Sequence, residues 1–335
     1  MTQRIPGIVP LVLAMGLLAI CDVAGAQSSR LFRIATGGAG GTYYPIGELI
    51  ASAISDPGPS SCLENGDCGV RNLIAVAQTA NGSVANVMAI AQGTIESGFA
   101  QSDIVSFAYH GSDPFEHTGP LNSLRVIANL YHESVHLVAS RGRRIESVSD
   151  LRGLRVALDE PGSGTLIEAR LILNAFGLSE DDIRPQYVKP SLAAKRMRVG
   201  RLDAFFIVAG YPAKAVADLV ASEDASLVGI DGDPVLELLQ TARFLNPDLI
   251  PVGVYPYTGE TPTVGVGAQW VVSAEIDDDL VYAITAALWS RRTRKMLDAG
   301  HPRARSITLG NALSNIDVPL HPGAARYYRE AGMID

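Results

Sequence analysis

The chain has 335 residues, 47% of them hydrophobic and 19% charged, with a formal net charge of −8. That length suits one large or two medium α/β domains, and the composition excludes a disordered chain. The acidic balance weighs against a nucleic-acid partner, which would want a basic face, yet a small anion could still be held at helix N-termini.

The first residues read as an export signal. Arg4 supplies a short positive segment, Ile8 to Ile20 an apolar run, and Ala24-Gly25-Ala26 a small-x-small cleavage site. The apolar run is too short for a membrane span of about 20 residues. Cleavage after residue 26 makes Gln27 the mature start, predicts a periplasmic protein and leaves the net charge unchanged, because the segment carries one Arg and one Asp. Cys21 offers a lipid-anchor alternative, against which the bulky Ile20 before it counts. Without the signal an even pair remains, Cys62 and Cys68, flanking LENGD with its Asn65-Gly66 turn. In an oxidising compartment they read as a local disulfide pinning a loop tip. A metal site would need further ligands nearby, and none is obvious.

The stretch RIATGGAGGTYYPIGELI, Arg33 to Ile50, reads as a strand (Phe32 to Ala35), a glycine-rich turn and a helix opening near Pro45. Such a unit aims unpaired N–H groups and a positive dipole end at one spot, which favours an anion. Leu73 to Ala77 is a second strand. NGSVANVMAIAQG is a helix that Ser83 can cap and Gly93 ends. SGFAQ is a buried strand ending at Gln101, after which Ser102 or Asp103 caps another helix. Gln101 and Ser102 therefore stand at the carboxyl end of a strand, where open α/β sheets bind ligands.

Leu124 to Ser140 is rich in β-branched residues and reads as extended chain. It contains HESVH (His132 to His136), a literal match to the HExxH zinc string. In a strand the two histidines stand about 13 Å apart, too far to share a zinc with bonds of about 2 Å, so no metal site is assigned. The other histidines (His110, His117, His301, His321) are scattered.

Ile145 to Gly153 is a short helical crossing. LRVALDEPGSGTLIEARLILNAFG then repeats the opening layout: strand Val156 to Leu158, turn PGSGT, and helix Leu166 to Phe176 closed by Gly177. Ser163 and Thr165 can cap that helix and offer hydroxyls to a ligand. Ser163 as a nucleophile lacks the G-x-S-x-G elbow, because Pro161 and Thr165 hold the glycine places. No catalytic set and no cofactor are assigned. Further on come strand Gln186 to Val188, helix Leu192 to Val199 and strand Ala204 to Val208, which ends at AGYP and puts Tyr211 at another strand end. Helix Ala213 to Leu219, strand Ser226 to Ile230, helix Pro234 to Ala242 and an irregular NPDLIPVGVYPYTGETP follow. A long strand in TVGVGAQWVVSAEI, helices Asp277 to Trp289 and Thr293 to Ala299, and a surface-packed helix begun by Pro322 close the chain.

The two strand–glycine loop–helix units stand about 120 residues apart. They suggest two α/β lobes over a cleft, with hinge connections near residues 138–146 and at Thr263 to Ser273. The expected limits are 27–140 with 262–335 for one lobe and 141–261 for the other. TGGAGGTYYPIG, ANGSVANVMAIAQGTIESGFAQSD, ESVSDLRGLRVALDEPGSGT and LHPGAARYYREAG together resemble the motifs of the TAXI family, solute-binding proteins of tripartite ATP-independent periplasmic (TRAP) transporters. Some of its members are labelled immunogenic periplasmic proteins. The resemblance runs in order from about residue 31 to the C-terminus. It implies a two-lobed type II periplasmic-binding fold, delivery of a small carboxylate (glutamate, 2-oxoglutarate or a similar dicarboxylate) to the transporter's membrane subunits, and no catalysis. The chain is expected to be monomeric.

Carried over by position, the family's first ligand loop falls on Gly40, Gly41, Thr42, Tyr43 and Tyr44, its strand-end contact on Gln101 and Ser102, and its second loop on Gly162, Ser163, Gly164 and Thr165, with Tyr211 a further contact. Ser83 joins them from the start of its helix. One carboxylate is expected on Thr42 and the first loop's N–H groups, the other on Ser163 to Thr165, with a tyrosine against the carbon skeleton. Arg33 and Arg155 precede their strands and should lie away from the ligand. The alternatives are an exported hydrolase and the ligand-binding part of a sensory system.

Overall fold

The structure, a computed structural model, describes residues 1–2, 29–58 and 68–335. Residues 3–28, with most of the export segment and Cys21, and residues 59–67, with Cys62, lie outside them. Cys68 is disulfide-bonded.

Two runs of parallel strands with crossing helices follow one another. The first is β1 (Arg30–Ala35), α1 (Tyr43–Ile54), β2 (Leu73–Gln78), α2 (Ser83–Ala91), β3 (Ser97–Gln101) and α3 (Ser102–His110). The long β4 (Leu124–Ser140) leads to the second: β5 (Arg155–Ala157), α4 (Gly164–Ala175), β6 (Arg184–Gln186), α5 (Pro190–Arg198), β7 (Ala204–Ala209), α6 (Lys214–Val220), β8 (Ala225–Val228), α7 (Asp233–Thr241) and β9 (Asn246–Ile250). Then β10 (Thr261–Ser273) returns the chain to α8 (Asp278–Leu288), α9 (Arg291–Ala299) and α10 (Pro322–Glu330). The helices form where apolar side chains recur on one face: α1 buries Tyr43, Ile46, Ile50 and Ile54. β3 is buried at every residue, as a strand covered on both faces must be.

The strands make one sheet whose two halves share a plan. In one half the order is β2-β1-β3-β10-β4, with β1 to β3 parallel and β10 inserted antiparallel. In the other it is β6-β5-β7-β4-β8, with β5 to β7 parallel and β4 inserted antiparallel. Each half borrows the strand that arrives from the other. β4 pairs with β10 from Leu124 to Ser134 and with β7 from Ser134 to Ala139, so it crosses between halves near Ser134. That is ahead of residues 138–146, where the sequence placed the first hinge.

Each half carries apolar cores on both faces. In the first, Phe32, Phe99 and Trp270 pack under α1, α8 and α10, while Val126 and Val271 pack under α2 and α3. Trp270 meets Phe32 and Phe99 edge-on at 6.4 and 6.2 Å and donates to Ser97 Oγ at 3.1 Å. In the second half α4 and α7 cover one face, α5 and α6 the other.

One element differs from the sequence reading. NPDLI is a strand, β9, because it lies at an edge of β10, where Pro247 costs no interior ladder bond. The last helix, begun by Pro322, packs on the first half through one face: Tyr328 is fully buried and donates to Ile127 O at 2.9 Å. A Cβ at Gly323 would come 2.1 Å from Asp278 O, so only glycine lets α10 approach α8 this closely. HESVH lies in β4, as its β-branched residues indicate. There His132 Nε2 stands 3.4 Å from Asp248, while His136 meets Ser134 O and the Tyr255 hydroxyl, each at 2.9 Å.

Candidate functional site

A cleft with about 590 Å³ of space, counting its open mouth, lies between the halves. The shared plan explains what lines it. The first and second helices of each half begin there: α1 through Gly40 to Tyr43, α2 through Gly82 and Ser83, α4 through Ser163 to Thr165, and α5 through Lys189 to Ser191. The first turn of a helix holds N–H groups without intrahelical acceptors, and each N-terminus carries about half a positive charge. Both halves therefore turn positive backbone ends toward one cavity.

The halves meet around it. Ala85 N, in the first turn of α2, donates to Gly162 O at 3.0 Å, and Ala215 N donates to Gly40 O at 3.0 Å. The Thr42 hydroxyl receives Gly210 N at 3.0 Å and the Tyr131 hydroxyl at 3.3 Å. Gly164 stands so close to Gln101 that an added Cβ would overlap Oε1 of that side chain at 1.4 Å.

Of the residues singled out from the sequence, Gly40, Gly41, Thr42, Tyr43, Ser83, Gln101, Ser163, Gly164 and Thr165 line the cleft. The rest of the set does not line it. Tyr44 is half-buried on α1, and its phenol is raised by a hydrogen bond with Glu48. Ser102 accepts from Gly267 N at 3.1 Å behind the strand end, beside a separate groove with Arg243 and Asn246. Gly162 is spent on Ala85, and the Tyr211 ring lies under the Arg303 guanidinium at 4.5 Å.

The lining hydroxyls are held in place by backbone donors. Ser163 Oγ caps α4 by accepting Leu166 N at 3.1 Å, and Thr165 Oγ1 accepts Val208 N at 3.1 Å. An oxygen that accepts from the protein keeps its own hydrogen to donate, so Thr42 and Ser163 offer hydroxyls to the cleft, while the Thr165 hydroxyl acts on the Asp159 carboxyl. Ser83 Oγ accepts Gln101 N at 3.1 Å and lies 3.4 Å from Gln101 Oε1. Tyr43 packs edge-on against Phe99 at 5.8 Å. Arg33 and Arg155 are absent from the lining, tied to Glu96 at 2.6 Å and Asp203 at 2.7 Å.

Three charged lining residues escaped the sequence reading. Lys189, at the start of α5, pairs with Glu160 at 3.0 Å. Glu133, on β4 where it crosses, is 1% exposed, and one of its oxygens has no hydrogen-bond partner. Burial pushes its carboxyl up to about 8, against the pull of Tyr43 and Arg303. Asp159, past the end of β5 in a left-handed conformation (φ 70°), is raised by burial to about 7. Glu133 lies inside the HESVH string, whose sequence signal concerns the two histidines. Asp159 falls between the strand Val156 to Leu158 and the PGSGT turn, and no sequence signal singles it out.

A family model described as the NMT1-like family matches residues 34–332. PhnD1 from Prochlorococcus marinus (MIT 9301), solved with methylphosphonate, matches with TM-score 0.52 and 10% identity over 92% of this chain and 100% of that one. A protein from Bordetella bronchiseptica RB50 matches with TM-score 0.51 and 16% identity over 91% and 89%. The alkanesulfonate-binding protein SsuA from Xanthomonas axonopodis pv. citri, bound to MOPS, matches with TM-score 0.45 and 16% identity over 86% of each chain. The fold is the mixed α/β arrangement of periplasmic-binding-protein-like structures, which have two lobes. Among the described residues no helix is long and apolar enough to cross a membrane.

Proposed function

This chain belongs to the NMT1-like family, and from that premise we propose that it is a periplasmic receptor that closes two lobes on a small carboxylate and hands it to a membrane transporter. The observation that carries the reading is the cleft lined by the N-termini of α1 and α2 from one half and α4 and α5 from the other. A ligand with an acidic group at each end would meet backbone N–H groups and oriented hydroxyls on both sides, at Gly40 to Tyr43 and Ser83, and at Ser163 to Thr165. Lobe closure around a ligand is a known form of hinge switching.

The finer assignment rests on the TAXI-like motifs: TRAP membrane subunits as partner, glutamate, 2-oxoglutarate or a similar dicarboxylate as ligand, and binding without turnover. The lobe limits 27–140 with 262–335 and 141–261, and the Cys62–Cys68 disulfide, are part of the same proposal. Within this ligand class Glu133 and Asp159 favour a molecule that also carries an ammonium group, hence glutamate over 2-oxoglutarate. An ammonium beside a buried carboxyl restores its ionised form and supplies the missing donor.

A thermal-shift panel of dicarboxylates, keto acids and amino acids tests the reading. A ligand at about 100 times its Kd adds about 2.7 kcal/mol, which raises Tm by several degrees in a chain of this size. Glutamate should give the larger shift. An unchanged Tm with every anion would remove the assignment.

A further inference from the structure

Behind the cleft three acidic side chains from different elements are shut away from water. Asp103 lies in the first turn of α3, in the first half; Glu168 lies on α4, in the second; Glu133 lies on β4 where it crosses between them. Asp103 and Glu168 are 0% exposed and Glu133 1%. Both oxygens of Asp103, both of Glu168 and one of Glu133 have no hydrogen-bond partner. The three act on one another electrostatically: Glu168 feels Asp103 and Glu133, and Glu133 feels Asp103. The other titratable or charged groups acting on the cluster are Tyr43 on α1, Tyr131 on β4 and Arg303, and all of them act through Glu133. Only Arg303 is a cation, and its guanidinium is engaged with His132 O and the Tyr211 ring.

Carboxyl groups in this setting cannot all stay ionised, because each charge would be both desolvated and repelled. A metal ion could neutralise them, but among the described residues no three acidic, His or Cys side chains converge at metal-binding distance. Protons remain. We propose that closing the two lobes takes up protons onto the Asp103–Glu133–Glu168 cluster, so that acid favours the closed form and base opens it. The cluster is assembled from both halves, so opening separates Asp103 from Glu168 and admits water, which restores their ordinary acidity. Closed and open forms then bind different numbers of protons, and pH shifts their balance. Burial raises Asp103 to about 7 and Glu133 to about 8, and drives Glu168 upward too, which places the transition between neutrality and mild alkalinity.

The inference rests on lobe closure in the proposed reading but not on the ligand, so its test uses the ligand-free protein. Small-angle X-ray scattering from about pH 6 to about pH 9 should show a compact form at the acid end and an expanded one at the basic end. Asp103→Asn with Glu168→Gln keeps the shape and removes the ionisation, and should flatten that dependence. Neither residue lines the cleft. Carbon-13 NMR of the wild-type carboxyls reads the same groups without mutation and should show at least one acid titrating near neutrality. A scattering profile that does not change with pH overturns the proposal, as does an unaltered dependence in the double variant, or carboxyls that all titrate in the ordinary acidic range. A pH-insensitive profile beside a positive ligand panel would sink this inference and leave the receptor reading intact.

Discussion

Gly164→Ala separates lobe closure from lobe folding. Gly164 is the first residue of α4 and its backbone is helical, so alanine brings no conformational strain. It is in fact the better helix former, by up to about 1 kcal/mol. Its methyl, however, would lie 1.4 Å from Gln101 Oε1, 2.5 Å from Gln101 Cδ and 3.1 Å from Ser83 Oγ. Gln101 is 3% exposed and belongs to β3, whose backbone is fixed against Ala268 of β10. The side chain must leave the cleft wall, or the start of α4 must retreat from the opposite half. Overpacking of this kind costs about 1–3 kcal/mol. Charged to the closed state alone, that is a loss of about 5- to 150-fold in ligand affinity. The lobe itself should keep its stability or gain slightly. Titration calorimetry with the acid that shifts the wild type most, beside melting curves without ligand, measures both terms. Wild-type affinity in the variant would refute the reasoning, because it would mean that the Gln101 side chain swings aside at no cost or does not meet Gly164 when ligand is bound.

Thr42→Val keeps the shape of the side chain but strands the buried Gly210 N–H and removes a partner of the Tyr131 hydroxyl. A loss of about 1–3 kcal/mol is expected, read as weaker ligand binding with little change in circular dichroism. Asp203 is held well below the usual carboxylate range by Arg155 foremost, with Arg143 assisting against the effect of burial. A depressed folded value gives stability that is present above the unfolded value of about 3.9 and fades as pH falls below it. Asp203→Asn should therefore lower Tm most at neutral pH, and its gap to the wild type should shrink in acid. A gap that widened in acid would contradict that sign.

Much of the fold is legible because local signals and tertiary demands agree. β3 and β4 run over the very residues that the apolar and β-branched runs mark, from Ser97 to Gln101 and from Leu124 to Ser140. The glycine turns show where α1 and α4 begin, because a backbone stripped of side chains before a helix has few other uses. What stayed hidden depends on the partner strand. NPDLI carries a proline and an acid and looks like a loop until β10 lies beside it. The crossing at Ser134 leaves no mark either, since one continuous extended chain serves both halves. Tyr44 and Ser102 sit beside residues that do line the cleft and carry similar chemistry. Helix phase and strand pleat decide which neighbour faces in, and a one-residue step turns a side chain to another face.

The acidic groups were the least visible part, and they alter the character of the site. From sequence the cleft is a set of neutral donors suited to anions, and a net charge of −8 is no obstacle because helix ends act locally. The structure adds Glu133 and Asp159 to the same cavity, both raised toward neutrality by burial. A carboxyl that is protonated when the cavity is empty does not repel an incoming anion, and it can donate a hydrogen bond to it. Once a ligand with an ammonium group arrives, the same carboxyl loses its proton and pairs with the cation. A cavity built this way accepts the negative ends of a ligand through fixed amides and its positive end through acids that change state on binding. Binding of an amino acid should then leave Glu133 and Asp159 with fewer protons than binding of a keto acid does, over and above what lobe closure itself takes up. Calorimetry in two buffers of different ionisation enthalpy measures that difference, and equal proton counts for the two ligands would show that neither acid meets the amine.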